Sequence, residues 1–235
     1  MRTTHHGEYM IQMTRFPRFF PINTYLIREE DDFTLIDTGL RGGGPAMLEI
    51  AREHGAPIGR ILLTHAHGDH VGSVDALHAA LPEAEVMITA RDARFLRGER
   101  SSVPGETQAK PRGNFPKIET RPTREIAPGD RIGSLEVVAA PGHTPGQVAF
   151  LDTRDRTLIV GDAFQTQGGI AVSGVLRPLF PFLVLATWHK PTALATARTL
   201  RALAPSRLAV GHGPVLDEPL PAMDHAIAGA ERRFT

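Results

Sequence analysis

The sequence contains no cysteine. Disulfide bonds, thiolate metal ligands and a cysteine nucleophile are excluded together, so any metal must sit on nitrogen and oxygen. Charge of one sign is also lacking: 26 Lys plus Arg face 26 Asp plus Glu, which leaves no net field to draw in nucleic acid or an anionic membrane. No apolar run is long enough to span a bilayer, and the most apolar stretch, VLRPLFPFLVLAT, is broken by Arg177, Pro178 and Pro181. The N-terminal MRTTHHGEYMIQM has no apolar core of the secretory-signal kind. These absences predict a cytoplasmic protein that takes a small-molecule substrate, with no nucleic-acid or membrane partner. With 41% hydrophobic and 22% charged residues over 235 positions, the composition is that of one ordinary globular domain covering 1–235.

Strand-like runs open the chain: MIQMTRF, NTYLIRE and FTLIDTG, with the acidic EEDD as a hairpin turn between the last two. After GGG at 42–44, Pro45 begins a helix with apolar residues at 47, 48, 50 and 51, and Gly55 stops it. RILLT (60–64) is a short buried-type strand leading into THAHGDH, beyond which Val71, Val74, Leu77 and Leu81 keep a helical period up to Pro82. EVMIT (85–89) and RDARFLRG follow as strand and short helix. Residues 98–125, rich in Gly, Pro, Arg and Ser, form a long loop insertion. The second half repeats the strand habit in SLEVVAA, QVAFLD and TLIVGDA, then a helix over 191–204, the strand RLAVGHG and a helical PLPAMDHAIAGAERR. Strands in runs followed by helices in each half point to two sheets with helices outside, an α/β sandwich.

The stretch LLTHAHGDHVG places His65, His67, Asp69 and His70 within six positions. In an extended segment the period of two puts His65 and His67 on one side, where both can reach one ion. Gly68 is expected to let the chain turn, so that Asp69 and His70 face elsewhere and form a second half-site. Both half-sites are incomplete, which demands further His or Asp at distant strand ends. His143 in APGHTPG, Asp162 ending TLIVGD and His212 ending RLAVGH supply them. Asp37, in LIDTG, is a candidate carboxylate for the far nitrogen of a ligating histidine, with turn formation before Gly39 as the alternative. His5, His6, His54, His78, His189 and His225 have no such context and are read as surface or packing residues.

HAHGDH, PGHTPG, the GDA after a strand and the GHG near the end, together with NTYLI, LIDTG and AVGHGP, resemble the metallo-β-lactamase superfamily over most of the chain. The resemblance implies an αββα sandwich of two mixed β-sheets flanked by helices. It implies that His65, His67 and His143 hold one metal, that Asp69, His70 and His212 hold a second, and that Asp162 bridges them. The members with a cysteine ligand are excluded here, and Asp162 points to the glyoxalase II, lactonase and ribonuclease Z side. Glyoxalase II has a helical C-terminal domain, whereas 23 residues follow His212. The tyrosine that acyl-homoserine lactonases place three residues after the bridging aspartate is Gln165.

The expected activity is therefore a dinuclear hydrolase of a carboxylic ester, thioester or lactone, with two divalent ions, zinc first and iron or manganese as alternatives. Asp69 is the candidate proton shuttle. A mononuclear iron persulfide dioxygenase, a ribonuclease Z-like phosphodiesterase and a non-catalytic metal-binding module are the competing readings. Leu176, Phe180, Phe182 and Trp188 are the candidate substrate wall, with core packing or a homodimer contact as the alternatives. Arg97, Arg100, Lys110, Arg112 and Lys117 could steer an anionic group from the loop, against the default of a solvated surface.

Overall fold

In the computed structural model, which describes residues 1–234, contacts divide the chain into two compact units. No shift in composition marks the boundary. The first unit is Met1–Glu99 with Phe115–Ile126. Its strands are β1 (Arg2–His6), β2 (Met10–Arg15), β3 (Ile22–Arg28), β4 (Phe33–Ile36), β5 (Ile58–Leu62), β6 (Glu85–Thr89) and β7 (Arg124–Ile126). They form one sheet in that order. The helices are α1 (Gly44–Glu53), α2 (Gly68–Val71), α3 (Val74–Ala80) and α4 (Ala90–Leu96).

Strands β1 to β4 pair antiparallel, and β4 to β7 pair parallel through helical crossovers. The EEDD turn closes the β3–β4 hairpin, where Glu29 N donates to Asp32 O at 2.9 Å. The polar RTTHH strand was not legible as one. It is an edge strand held by its ladder to β2, and an edge needs no apolar face. Helix α1 has Pro45 in its first turn and buries Met47, Ile50 and Ala51 on the core of this unit.

The expected helix from Val71 to Leu81 is two pieces. Its break falls at Gly72, whose N–H donates to Gly39 O at 2.8 Å. A Cβ there would lie 2.5 Å from Arg41 N and 2.7 Å from Gly39 O, so the close backbone approach requires glycine. Ser73 secures the break by accepting from Gly43 N and donating to Leu40 O. The 98–125 loop also differs in extent: residues 97–123 carry no helix or strand, and its last residues enter β7 at the sheet edge.

The second unit is Arg100–Asn114 with the chain from Ala127 onward. It contains β8 (Arg131–Ile132), β9 (Leu135–Ala139), β10 (Val148–Asp152), β11 (Thr157–Ile159), β12 (Phe164–Gln165), β13 (Ala171–Val172), β14 (Arg207–Ala209) and β15 (Leu216–Asp217), and the helices α5 (Phe182–Ala186), α6 (Lys190–Ala202) and α7 (Leu220–Phe234). Six strands form a sheet in the order β15-β14-β11-β10-β9-β8, and β12 pairs with β13 separately. Only β11 and β14 run parallel, in the register Ile159↔Ala209. That pairing brings two strand ends to one edge. Its core joins Leu158, Val160, Leu208 and Val210 to Ala197 and Leu200 of α6 and Met223 and Ala226 of α7.

Within the first unit, Asp75 of α3 ties down the long loop. Its carboxylate accepts Glu119 N at 3.1 Å, Thr120 N at 2.8 Å and Thr120 Oγ1 at 2.7 Å. Burial opposes the charge of Asp75, but the bonds from Thr120 and Glu119 and the charge of Arg41 outweigh it and hold the pKa below the ordinary carboxylate value. A depressed carboxylate stabilises the fold above its unfolded pKa of about 4 and loses that contribution as pH falls through the folded value. Asp75→Asn should therefore lower stability at pH 7 by about 1 kcal/mol, with a smaller deficit below about pH 4. Urea midpoints measured against pH check this, and a deficit independent of pH would contradict it.

Candidate metal centre

In the first unit the histidine cluster begins where β5 ends. Asp37, just beyond β4, adopts φ 57°, the left-handed region uncommon for a side-chain-bearing residue. Its carboxylate explains why that conformation persists. Oδ1 accepts Thr64 N at 2.8 Å, and Oδ2 accepts both Thr64 Oγ1 at 2.8 Å and His70 Nδ1 at 2.7 Å. Thr38, the next residue, donates its N–H and hydroxyl to His70 O at 2.6 and 3.0 Å. One turn thus grips the THAHGDH segment at both ends.

These bonds decide tautomers. A carboxylate only accepts, so His70 carries its proton on Nδ1. The single hydroxyl proton of Thr64 is spent on Asp37, so the 3.0 Å contact between Thr64 Oγ1 and His65 Nδ1 must be a donation from the imidazole. In the neutral form His65 and His70 therefore both carry the lone pair on Nε2, the state a metal requires. The rings are crowded accordingly: His65 lies 4.0 Å from His70 and 4.8 Å from His67, centroid to centroid.

His67 is extended at φ −74° and ψ 149° and immediately precedes α2. The turn expected of Gly68 is made there, since Gly68 is already the first helical residue and has no positive φ. The change from extended to helical backbone separates the two pairs, and glycine's freedom is not what it uses. Phe115 packs on His67 at 4.6 Å, and Asp92, fully buried, accepts Ala66 N at 3.0 Å. Asp69 keeps 22% of its side chain exposed, and its Oδ2 lies 4.0 Å from His70 Nε2.

In the second unit three turns carry the remaining candidates. Gly142, at φ 138°, lies so close to α6 that a Cβ would meet Ala193 Cα at 2.4 Å. Trp188 N donates to His143 O and His189 N to Gly142 O, each at 2.9 Å, which staples the PGHTPG turn to the start of α6. The His143 ring meets a chain of hydroxyls: Nδ1 lies 2.9 Å from Ser173 Oγ, Ser173 Oγ lies 2.9 Å from Thr187 Oγ1, and Thr187 Oγ1 donates to Leu183 O at 2.5 Å. The final carbonyl can only accept, so each bond before it has one direction and His143 must donate from Nδ1. Its Nε2 is again the lone-pair nitrogen.

Asp162 and His212 follow the parallel pair β11 and β14. The ladder extends past both strands through Val160 N to Ala209 O at 2.9 Å and Gly211 N to Gly161 O at 2.8 Å. The two side chains emerge side by side. Asp162 Oδ2 is 3.3 Å from His143 Nε2 and 3.3 Å from His212 Nε2. One carboxylate oxygen thus faces two imidazole nitrogens among residues that are 3% exposed or less.

Of the proposed substrate wall, Phe180 is buried with its ring 5.0 Å from His212, and Phe182 packs edge-on against Phe180 at 5.2 Å. Leu176 is exposed. Trp188 is buried, and its indole N–H donates to Ala109 O at 2.7 Å, which ties the 100–114 segment to the His143 turn. Gln165 is buried with Nε2 donating to Gly169 O at 3.2 Å. Arg97 is paired with Glu99 at 3.1 Å. Among the other histidines, His5 packs on His54, His6 bonds Gln12 and His189 bonds Thr192. Thr64, Asp92, Ser173 and Thr187 are the functional neighbours that sequence reasoning missed. Thr64 had a signal in its place beside His65, whereas Ser173 and Thr187 had none.

If the hydroxyl chain orients His143, Ser173→Ala should weaken zinc binding about tenfold. Competition against a chromophoric chelator measures it, and unchanged affinity would contradict the assignment.

The model of the metallo-beta-lactamase superfamily matches residues 17–212. The chain is 48% identical over 233 residues to the uncharacterized protein YobT of Bacillus subtilis (strain 168), covering 99% of this chain and 100% of that one. It is 30% identical over 152 residues to the probable metallo-hydrolase YybB of the same organism, covering 64% and 65%. The crystal structure of TTHA1623 in a di-iron-bound form superposes with a TM-score of 0.67 at 29% identity, covering 90% of this chain and 96% of that one. The fold of mixed sheets with flanking helices is theirs as well. Since the matched segment contains both donor clusters and the strand ends that carry them, the chain belongs to the metallo-beta-lactamase superfamily and is a metal-dependent hydrolase.

Proposed function

We propose that the chain hydrolyses a carboxylic ester, thioester or lactone with two divalent ions, zinc being the first choice. His65, His67 and His143 would hold one ion, and Asp69, His70 and His212 the other, with Asp162 shared. The observation that carries this reading is the single Asp162 oxygen at 3.3 Å from the Nε2 atoms of two histidines, an arrangement suited to a shared carboxylate. The donor chemistry fits: all seven side chains are imidazoles or carboxylates, and three imidazoles have Nδ1–H fixed by their neighbours. The di-iron form of TTHA1623 supports a pair of ions rather than one.

Such ions lower the pKa of water to about 7 and polarise a carbonyl oxygen, which supplies a nucleophile at neutral pH without serine or cysteine. The side chains do the rest. Asp37, Thr64, Ser173 and Thr187 hold the imidazoles in one tautomer and orientation. Asp69, alone of the seven in not being buried, would take the proton released on attack at its carboxylate oxygen and return it to the leaving alkoxide or thiolate. Balanced charge disfavours the phosphodiesterase reading, because a nucleic-acid substrate rewards excess Lys and Arg.

The purified protein should hold two ions per chain and turn over at least one ester, thioester or lactone in a screening panel. Asp69→Asn should lower kcat by about 100-fold or more. Metal analysis and kinetics on one sample decide the matter. One iron per chain with oxygen uptake on a persulfide, or full turnover by the Asn variant, would contradict the reading.

A further inference from the structure

Seven large hydrophobic residues are exposed among the described residues, and four of them fall within ten positions: Leu176 (54%), Leu179 (77%), Phe182 (47%) and Leu185 (68%). They recur every third residue. The residues on the inner side, Val175, Phe180 and Leu183, are buried. The segment is therefore apolar on both faces, whereas an ordinary surface segment turns polar residues outward. From Pro178 to Trp188 there is no Asp, Glu, Lys or Arg.

The ridge is built rather than loose. The Arg177 guanidinium donates to Ile170 O, and Phe180 N donates to Arg177 O at 2.9 Å. Gly168, at φ 69°, lets Leu179 pack so close that a Cβ would lie 2.8 Å from Leu179 Cβ. Thr187 closes α5 by donating its N–H and hydroxyl to Leu183 O. The ridge is also continuous with the candidate centre, since Phe180 lies on the His212 ring and Phe182 lies on Phe180.

We propose that this ridge recognises the acyl part of the substrate, and that the acyl part is an uncharged, unbranched chain of about six carbons or more. The inference rests on the hydrolase reading and narrows it. A scissile carbonyl beside His212 would send its acyl carbons outward along Phe182, Leu179 and Leu185, the exposed face over the buried Phe180 ring. From Leu179 outward the ridge carries no Asp, Glu, Lys or Arg, and the Arg177 guanidinium at its start is turned onto Ile170 O, which leaves methylene burial as the recognition energy.

The test is a series of aryl esters of straight-chain acids from two to twelve carbons, used below their micellar concentrations. The value of kcat/KM should rise about two- to fourfold per methylene between four and ten carbons. In the double variant Leu179→Ser, Phe182→Ser that rise should fall below about 1.5-fold. The slope is the readout, so a uniform loss of activity does not imitate the effect. A flat slope in the native protein, or a slope the variant leaves intact, overturns the inference. So does a variant that turns a dimer into a monomer, or abolishes binding to phosphatidylcholine vesicles, with the slope unchanged. If no ester, thioester or lactone of any length is hydrolysed, the hydrolase reading itself fails. Binding then decides the ridge: decanoate should bind at least tenfold more tightly than butyrate and lose that margin in the variant, and equal binding would overturn it.

Discussion

The carboxylate of Asp37 is the point on which the histidine cluster depends. A buried anion costs several kcal/mol of lost hydration unless its oxygens are satisfied, and a left-handed aspartate adds roughly 1–2 kcal/mol of backbone strain. Three hydrogen bonds to a charged acceptor, at about 1.5–3 kcal/mol each, offset both. Their donors are the backbone and hydroxyl of Thr64 and the ring of His70. The same contacts that stabilise Asp37 therefore fix the tautomers of two imidazoles, and the conformation of the β4 end becomes a condition for ligand geometry.

The second unit reaches the same result by other means. Behind His143 a relay of two hydroxyls ending on Leu183 O gives its Nδ1–H a direction. Leu183 also lines the inner side of the apolar ridge, and Trp188, whose backbone holds the His143 turn, begins where α5 ends. The segment proposed to receive the acyl chain and the segment that orients His143 are thus one stretch of chain. Changes in residues 175–188 are expected to be read in both.

Much of this is legible in the sequence. The strand runs, the EEDD hairpin, the Pro45 start of α1 and the strand-end positions of Asp162 and His212 follow from period, turn chemistry and apolar runs. What was not legible depends on partners distant in sequence. β1 is polar and exists because β2 offers it an edge. The break at Gly72 is imposed by the backbone of Gly39, more than thirty residues earlier. Gly68 looked like the divider of the cluster because glycine often turns a chain, yet the extended-to-helix change at His67 needs no special φ. Asp37 stood out through its place in LIDTG, whereas nothing in AVSGV marks Ser173 as a partner of His143. Its role comes from the chain folding back onto a residue thirty positions earlier.

Hydrogen bonds on Nδ1 leave Nε2 of His65, His70 and His143 for the proposed metal ions. Long-range proton–nitrogen correlation spectra of the zinc-loaded, nitrogen-15-labelled protein report the tautomer of each ring directly. A protonated Nδ1 and a metal-shifted Nε2 are expected for all three. A metal-shifted Nδ1 on any of them would contradict this assignment.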